Sequence, residues 1–472
     1  MSCRGGFFVH WRRMSGRRFA WISGPSPGNC YNSGVRLAMA EVFPFSALRY
    51  DPARVELAQV VTQPYDKITP AMQQRYYDAG PHNLVRIILG KSNPGDGEGE
   101  SVYTRAAASF QQWRREGILR ADPEPGFYAY SQQFALPGES GAVRERRGFI
   151  GLGRIEDYSA GIVFRHEQTL SRPKADRLNL LRATRAHFGQ IFMLYCDPQR
   201  ALDQLVVPHR QPEIEVRDEY GVLHRVWRVA DPAAVAAIRE RMRGHELVIA
   251  DGHHRYETAL AYRDQRRAHA GAVDPEAPYE RVMMTFVNAH GAGLVILPTH
   301  RLVHGLTDFQ PAAMVAAARS FFTVDDVTAH FQPERPLALM PPAAPGETAL
   351  LAVTRRQAFL LRAGQGARHP ALQDVSPGLA ELDVVRLHKV LLESALGISE
   401  DAIRDQANIA YLRDAEEAVA RARDGQADVA FLMNPIGVEQ VTALARAGQV
   451  LPQKSTDFYP KLLSGLAIYA LE

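Results

Sequence analysis

Residues 249–260 read Ile249-Ala250-Asp251-Gly252-His253-His254-Arg255-Tyr256-Glu257-Thr258-Ala259-Leu260, and this order indicates a strand, a tight glycine turn and a helix in succession. The apolar run 246–250 is typical of a strand. Residues 255–268 place an apolar face on one side of a helix, made of Tyr256, Ala259, Leu260 and Tyr262. Since the first N–H groups of a helix and its dipole favour an anion, the segment predicts a phosphate or carboxylate site.

The polar residues of this segment have chemistry that suits such a site. Gly252 lets the backbone approach a ligand, while His253, His254 and Arg255 supply donors that match phosphate oxygens. Asp251 has two candidate roles, either holding a metal ion or orienting a histidine. The alternative is a plain Asp-Gly turn before a polar helix start.

A second polar cluster lies at 164–177. It contains Glu167 next to His166, with Arg165, Asp176 and Arg177 close by in sequence, and Lys174 between them. A carboxylate beside a histidine and several cations is what a site for an anionic substrate and a proton requires. The alternative is a solvated loop followed by a helix that Asp176 caps.

Two further stretches are weaker candidates. The loop at 450–462 contains Lys454-Ser455-Thr456, in which one ammonium and two hydroxyls form a plausible anion cradle, although such triplets are commoner on plain surfaces. The triplet Thr299-His300-Arg301 ends an apolar strand and adds Arg301 as a candidate substrate contact; a polar strand end explains it equally well.

Composition and charge restrict the class of protein. The chain has 472 residues, of which 46% are hydrophobic and 23% charged, as in ordinary globular proteins. No apolar run reaches the length of a transmembrane helix, and Cys3, Cys30 and Cys196 form no disulfide or zinc pattern, which favours the cytoplasm. The net charge is +3, with six Arg and no Lys, Asp or Glu in residues 1–38. The remaining −3 argues against a general nucleic-acid binder.

Three regions are expected along the chain. Residues 1–38 are predicted to be a disordered leader or a mis-called start, with Met39 as the natural first residue. Residues 39–272 form an N-terminal α+β region, in which 83–89 is expected to be a strand. Residues 273–472 form a C-terminal α/β domain whose alternating helices and strands predict a small mixed or parallel sheet.

The motifs together resemble a known family. The stretch 43–89, the pairs at 165–167 and 176–177, the block 250–260, the run 298–301 and the stretch 452–465 resemble, in this order, the bacterial domain-of-unknown-function family numbered 1015. The similarity covers nearly everything from residue 43 onward. Residues 1–38 lie outside it.

A more distant resemblance has implications for the chemistry of the protein. His166-Glu167, Asp251 to Arg255 and residues 430–456 resemble the ADP-dependent free-serine kinases of the ParB and sulfiredoxin superfamily. The resemblance implies an α+β fold of mixed α/β type, with a ParB/sulfiredoxin-like catalytic domain before the C-terminal domain. His253 stands where sulfiredoxins carry a reactive Cys, which excludes sulfinic-acid reduction.

The same resemblance implies roles for individual residues. Glu167 is the implied catalytic carboxylate, assisted by His166, Asp251 and His253. Phosphates of ADP or ATP, with Mg²⁺ at Asp251, are expected at a set of binding residues, and serine or phosphoserine at a second set. The first set is Gly252, His254, Arg255, Lys454, Ser455 and Thr456, and the second is Arg165, Asp176, Arg177 and Arg301. The chain departs from those kinases by its greater length and at Asp457-Phe458, where they place basic residues.

These observations predict a cytoplasmic phosphotransferase or phosphohydrolase of serine and O-phosphoserine that uses a nucleotide, with no membrane partner. The sequence leaves the direction of the reaction open. Two alternatives also stay open: a non-enzymatic nucleotide- or DNA-binding module of ParB type, and a metal-dependent hydrolase built on the histidines and carboxylates of the two clusters.

Overall fold

The computed structural model describes residues 40–97, 99–137, 142–167, 171–206, 210–342, 344 and 346–472, with the backbone alone for 171–173. The predicted leader, residues 1–38, lies outside these residues. In the part described, strands and helices share the chain, and the prediction of a mixed α/β fold is confirmed.

The strands are short in most places and are numbered in chain order. They are β1 (Val42–Phe43), β2 (Leu48–Tyr50), β3 (Leu119–Ala121), β4 (Phe127–Ala135), β5 (Val143–Arg154), β6 (Val163–Phe164), β7 (Ala186–His187), β8 (Ile191–Tyr195), β9 (Ile214–Arg217), β10 (Leu223–Val229), β11 (Leu247–Asp251), β12 (Arg281–Asn288), β13 (Val295–Leu297), β14 (His300–Val303), β15 (Thr323–Asp326), β16 (Thr348–Val353), β17 (Ala358–Ala363), β18 (Ile409–Leu412), β19 (Val429–Met433), β20 (Asp457–Tyr459) and β21 (Tyr469–Ala470).

The α-helices are α1 (Leu57–Val60), α2 (Pro70–Ala79), α3 (Val85–Ile88), α4 (Val102–Arg115), α5 (Ser171–Thr184), α6 (Pro232–Met242), α7 (His253–Ala270), α8 (Pro311–Ala318), α9 (Pro377–Ala380), α10 (Asp383–Arg386), α11 (Glu400–Arg404), α12 (Ala415–Arg423) and α13 (Val438–Arg446). A π-helical segment, Leu387–Ala395, continues α10. Short 3₁₀ turns lie at Tyr65–Lys67, Tyr158–Ala160, Pro278–Glu280, Thr328–His330 and Pro370–Leu372.

The larger sheet contains β11, the strand that precedes the glycine turn at Gly252. Nine strands of the described chain join it in the order β6-β11-β8-β12-β5-β4-β10-β9, with β1 also paired to β5. The sheet is mixed, because β12 runs parallel to β8 and β11 runs parallel to β6, while its other pairs are antiparallel. Helix α7 leaves the end of β11 and packs Tyr256 and Ala259 into the core beneath the sheet.

The smaller sheet differs from the sequence expectation. Its order is β15-β17-β16-β19-β14-β18, and every neighbouring pair is antiparallel. The prediction of a parallel or mixed sheet is wrong, since β14 inserts between β18 and β19. Helix α12 connects β18 to β19. It therefore crosses over β14, which comes much earlier in the chain.

Residues 83–89 are a second correction. They were expected to form a strand, but 85–88 form the short helix α3. Leu84, Val85, Ile87 and Ile88 are all buried there, because the segment is enclosed by α2 and α4. A run that is apolar on every side fits a buried helix turn as well as a buried strand, and periodicity alone does not separate them.

The division of the chain at 272/273 stays a prediction. The first strand after it, β12, joins the larger sheet, and the six strands of the smaller sheet all follow it. None of the helices described here combines the length and the apolar character that crossing a membrane requires.

Candidate active site

The start of α7 has the geometry that the sequence predicts. Strand β11 ends at Asp251, the turn is made by Gly252, and the 18-residue helix begins at His253. Gly252 has a φ of 96°, a left-handed conformation that favours glycine, and a Cβ there would lie 3.0 Å from the Arg255 guanidinium. Its N-cap residue, Gly252, has no side chain that could cap the helix. The N–H groups and the dipole at the start of a helix favour an anion.

The pairing of β11 changes just before this turn. The register between β11 and β8 shifts between Ile249 and Asp251, which marks a bulge. Bulges redirect side chains and are common beside functional sites. Asp251 is the last residue of β11, and its side chain is 21% exposed.

Asp251 is an ion-pair centre. One carboxylate oxygen accepts from Lys461 Nζ at 3.0 Å and the other from Arg255 Nη2 at 2.7 Å. Burial raises the pKa of Asp251, but the charges of Lys461 and Arg255 outweigh it, so the pKa lies far below the ordinary range. Arg255 also donates to the Gln190 carbonyl. Two of its five guanidinium N–H donors are thus already engaged, which limits the predicted phosphate contact.

Lys461 was not recognised from the sequence. Its ammonium also lies 3.1 Å from Asp457, and the two carboxylates raise the pKa of Lys461 despite its burial. The chain around it is held from the larger sheet: Gln132 Nε2 donates to the Lys461 carbonyl at 2.8 Å. Buried Arg146 donates to the carbonyl of Tyr459 at 3.1 Å and also to that of Pro460. Lys461 is therefore placed by β4 and β5.

Glu167 lies across from this centre. It forms a parallel bridge with Leu451, and its Oε1 accepts from the backbone N–H of Lys454 at 3.5 Å. Burial raises the pKa of Glu167, although the Lys454 charge opposes the shift. Lys454 itself has a φ of +57°, unusual for a residue with a side chain, and such backbone conformations are frequent at functional sites.

Two neutral histidines lie between Glu167 and α7. The rings of His166 and His253 meet edge to face with centroids 4.7 Å apart, and His166 Nε2 lies 2.9 Å from the Thr456 hydroxyl. Burial lowers the pKa of His166 to about 4 and that of His253 well below its usual value. Both imidazoles are uncharged at neutral pH, so they position the loop and the helix start and add no positive charge.

These residues enclose one cavity of about 350 Å³. Lys67, at the end of the 3₁₀ turn 65–67, reaches it, and its ammonium makes no hydrogen bond to any described residue. Burial lowers the pKa of Lys67, and nearby Lys461 adds to the effect. The lining residues are Tyr65, Asp66, Lys67, Glu167, Asp251, Gly252, His253, His254, Arg255, Gln406, Gln453, Lys454, Thr456 and Lys461.

Two of the predicted binding residues hold the loop in place and do not line this cavity. The Ser455 hydroxyl donates to the Pro452 carbonyl at 2.6 Å. Arg301 is only 1% exposed and donates to the carbonyls of Gln453 and Lys454 at 3.4 and 3.2 Å. Arg301 therefore supports the Lys454 loop from within the core, and it lines a separate small cavity together with Ser455.

The predicted substrate residues of the second cluster also lie elsewhere. Arg165 and Lys174 pair with Glu257 at 3.1 and 2.7 Å, in a separate groove along the side of α7. Asp176 accepts from the Tyr103 hydroxyl at 2.9 Å and pairs with Arg177, whose guanidinium stacks over Tyr65 at 4.1 Å. Only Glu167 of this cluster lines the cavity, and His166 is buried against His253 and Thr456, which do line it.

The residues do not fit the predicted Mg²⁺ ligand. Both oxygens of Asp251 already accept from cationic side chains. Across the described ranges, no three His, Cys, Asp or Glu side chains are grouped so that they could hold a metal ion.

The fold and the site define a mixed α/β protein with a cation-lined cavity at the start of a helix. The family described as "Protein of unknown function (DUF1015)" matches residues 42–385, and the chain belongs to that family. The family resemblance predicted from the motifs is thereby confirmed. No curated protein matches the chain significantly.

Several solved structures are similar to the chain at low identity. A conserved hypothetical protein from Pyrococcus furiosus is 15% identical over 63% of this chain and 87% of that one, with a TM-score of 0.31. A free serine kinase in complex with AMP is 13% identical over 63% and 83%, with a TM-score of 0.32. SbnI from Staphylococcus aureus is 11% identical over 67% and 85%, with a TM-score of 0.31. These TM-scores are too low to support an argument about function. A functional proposal therefore rests on the contacts within the site itself.

Proposed function

We propose that the cavity at the start of α7 binds the phosphate groups of a nucleotide and transfers a phosphoryl group to or from the hydroxyl of serine. The observation that carries the proposal is the start of an 18-residue helix with a glycine N-cap, which opens on the same cavity as Lys67, Lys454 and Lys461. A ParB/sulfiredoxin-like core for residues 39–272 is part of the same proposal.

The charges of the cavity favour a phosphorylated ligand. Asp251 and Asp457 neutralise Lys461, and Asp251 also pairs with Arg255. Lys67 and Lys454 are the further lysines that line the cavity. Together with the helix N–H groups they supply the donors and positive charge that phosphate oxygens take. Such stabilisation of charge, with positioning, does most of the work in phosphoryl transfer.

Glu167 is suited to move the proton of the hydroxyl. Burial raises the pKa of its carboxylate, the direction that makes a stronger base at neutral pH. The Lys454 N–H fixes one of its oxygens. In the kinase direction Glu167 accepts the serine proton while the serine oxygen attacks the terminal phosphorus, and the bond to the nucleotide oxygen breaks. The reverse direction uses the same groups.

The choice of serine rests on the motif resemblance of 166–167 and 251–255 to free-serine kinases. The decisive experiment incubates the full chain with serine and ADP or ATP, and separately with O-phosphoserine with and without ADP, and follows the products by phosphorus NMR. We expect conversion in at least one arm.

The possible outcomes separate the candidate functions. Nucleotide binding by calorimetry without product in any arm would leave a non-enzymatic nucleotide-binding module. Release of phosphate from phosphoserine without ADP would identify a phosphatase. Absence of both binding and turnover would overturn the proposal for this cavity.

A further inference from the structure

A second and larger cavity lies next to the candidate active site. Its volume is about 560 Å³, within the range of about 300–1,000 Å³ typical of small-molecule sites. The π-helical segment forms one wall and residues 449–453 another. Apolar side chains make up much of the surface, namely Val375, Leu379, Val385, Ile403, Val450 and Leu451.

Three residues of this wall carry side-chain oxygens without a partner. Ser376 Oγ, the Tyr411 hydroxyl and Gln449 Oε1 are shielded from solvent, and none has a hydrogen bond within the described part of the chain. Buried polar atoms are nearly always paired, so three such atoms around one cavity require an explanation. All three residues line the cavity, and a ligand with N–H or O–H groups would satisfy these oxygens once their side chains turn toward it.

The π-helical segment also contributes His388 to the cavity wall. π-helices are rare and frequently mark functional sites. His388 on this segment is 6% exposed, and its Nε2 accepts from Arg301 Nε at 3.4 Å. An imidazole that accepts through Nε2 carries its proton on Nδ1 when neutral. His388 therefore presents one fixed tautomer at the cavity wall.

Each cation of this wall is already paired with carboxylates. Lys389 pairs with Glu393 at 3.0 Å and with Glu400 at 3.2 Å. Arg404 pairs with Asp401 at 2.7 Å and with Asp405 at 3.4 Å. In contrast to the cavity at α7, no lysine here is left to neutralise a phosphate.

We propose that this second cavity binds an uncharged small organic molecule that combines an apolar body with N–H or O–H donors. The apolar walls take the body, and the oxygens of Ser376, Tyr411 and Gln449 take the donors. The proposal goes beyond the phosphoryl-transfer function and does not depend on it. Gln453 lines both cavities, so the two ligands would bind side by side.

The test uses benzamide, an uncharged ring with an amide donor, and the full chain. Saturation-transfer NMR titrations are compared for the wild type and for Tyr411→Phe, Gln449→Leu and Leu379→Trp. We expect saturable binding by the wild type, about five- to tenfold weaker binding after loss of either polar group, and none when the tryptophan fills the cavity. Tyr220→Phe, which changes an exposed tyrosine outside the cavity, is the matched control and should bind as the wild type.

Thermal unfolding of each variant shows whether it is folded, and Lys67→Ala should bind benzamide normally because Lys67 belongs to the other cavity. Absence of saturable binding to the wild type would overturn the proposal. So would equal binding by all three cavity variants that fold.

Discussion

The charged residues on the flank of α7 and those at its start differ in how fully they are ion-paired. Along the flank of the helix, Arg165 and Lys174 share the one carboxylate of Glu257, which is only 11% exposed. At the start of the helix, Asp251 takes two cations, while Lys67 and Lys454 line the same space beside helix N–H groups. Both cations of the flank are thus ion-paired, whereas Lys67 and Lys454 at the helix start form no ion pair within the described chain.

The contrast between the flank and the start of α7 shows that the number of charged residues in a stretch of sequence does not by itself identify a ligand-binding site. Glu167 and Arg165 are two positions apart, yet one lies at the cavity and the other in the groove. What distinguishes them is the partner that the tertiary structure supplies. Four predictions test this contrast, beginning with the largest expected effect.

Glu167→Gln should reduce turnover by about 10² to 10⁴, the usual contribution of general acid–base catalysis, and leave nucleotide affinity nearly unchanged. The amide keeps the shape and can still accept from Lys454, but it does not take a proton. Turnover by phosphorus NMR and affinity by calorimetry measure the two effects. Glu156→Gln is the matched control, because burial also raises the pKa of Glu156, which lies outside the cavity. Normal turnover in Glu167→Gln would place the chemistry elsewhere.

Lys67→Ala should weaken nucleotide binding by about 1.5–3 kcal/mol, the value of a charged hydrogen bond, or roughly 10- to 150-fold. The ammonium makes no hydrogen bond to a described residue, so the fold should lose little stability. Calorimetry with ADP measures the change. Lys91→Ala is the control, since Lys91 interacts with Tyr77 and Gln74 away from the cavity. Equal affinities in the two variants would remove Lys67 from the site.

Sequence reasoning located the start of α7 because its signals are local. Gly252 marks the turn, and Tyr256 and Ala259 mark the buried face of the helix within a few residues. Lys461 has no such signal, because its partner Asp251 is 210 positions away. Lys67 was missed for a similar reason, since Pro64 and Tyr65 indicate only an extended approach. Arg301 was expected to face a substrate, but burial directs it to loop carbonyls.

The roles given to the individual site residues remain predictions. The pH dependence of the free energy of unfolding tests whether His166 is buried in its neutral form. His166 has a pKa of about 4 when folded and an ordinary value near 6.5 when unfolded. Between these pH values the unfolded chain binds more protons, so the free energy of unfolding falls as pH decreases from 6.5 to 4. Replacement by Gln should reduce that slope by about 1.4 kcal/mol per pH unit. Urea unfolding at several pH values measures it, and an unchanged slope would contradict a neutral buried His166.

Arg165→Ala should have the smallest effect, because its cation is partly exposed and pairs with a carboxylate that Lys174 also neutralises. An exposed ion pair contributes about 0–1 kcal/mol, so both stability and ADP affinity should stay close to those of the wild type. Unfolding in urea and calorimetry with ADP test the two expectations, and Lys67→Ala in the same assays provides the contrast. A loss of ADP affinity in Arg165→Ala comparable to that of Lys67→Ala would mean that the groove and the cavity act on one ligand. The difference in charge compensation between the two sides of α7 would then not define the site.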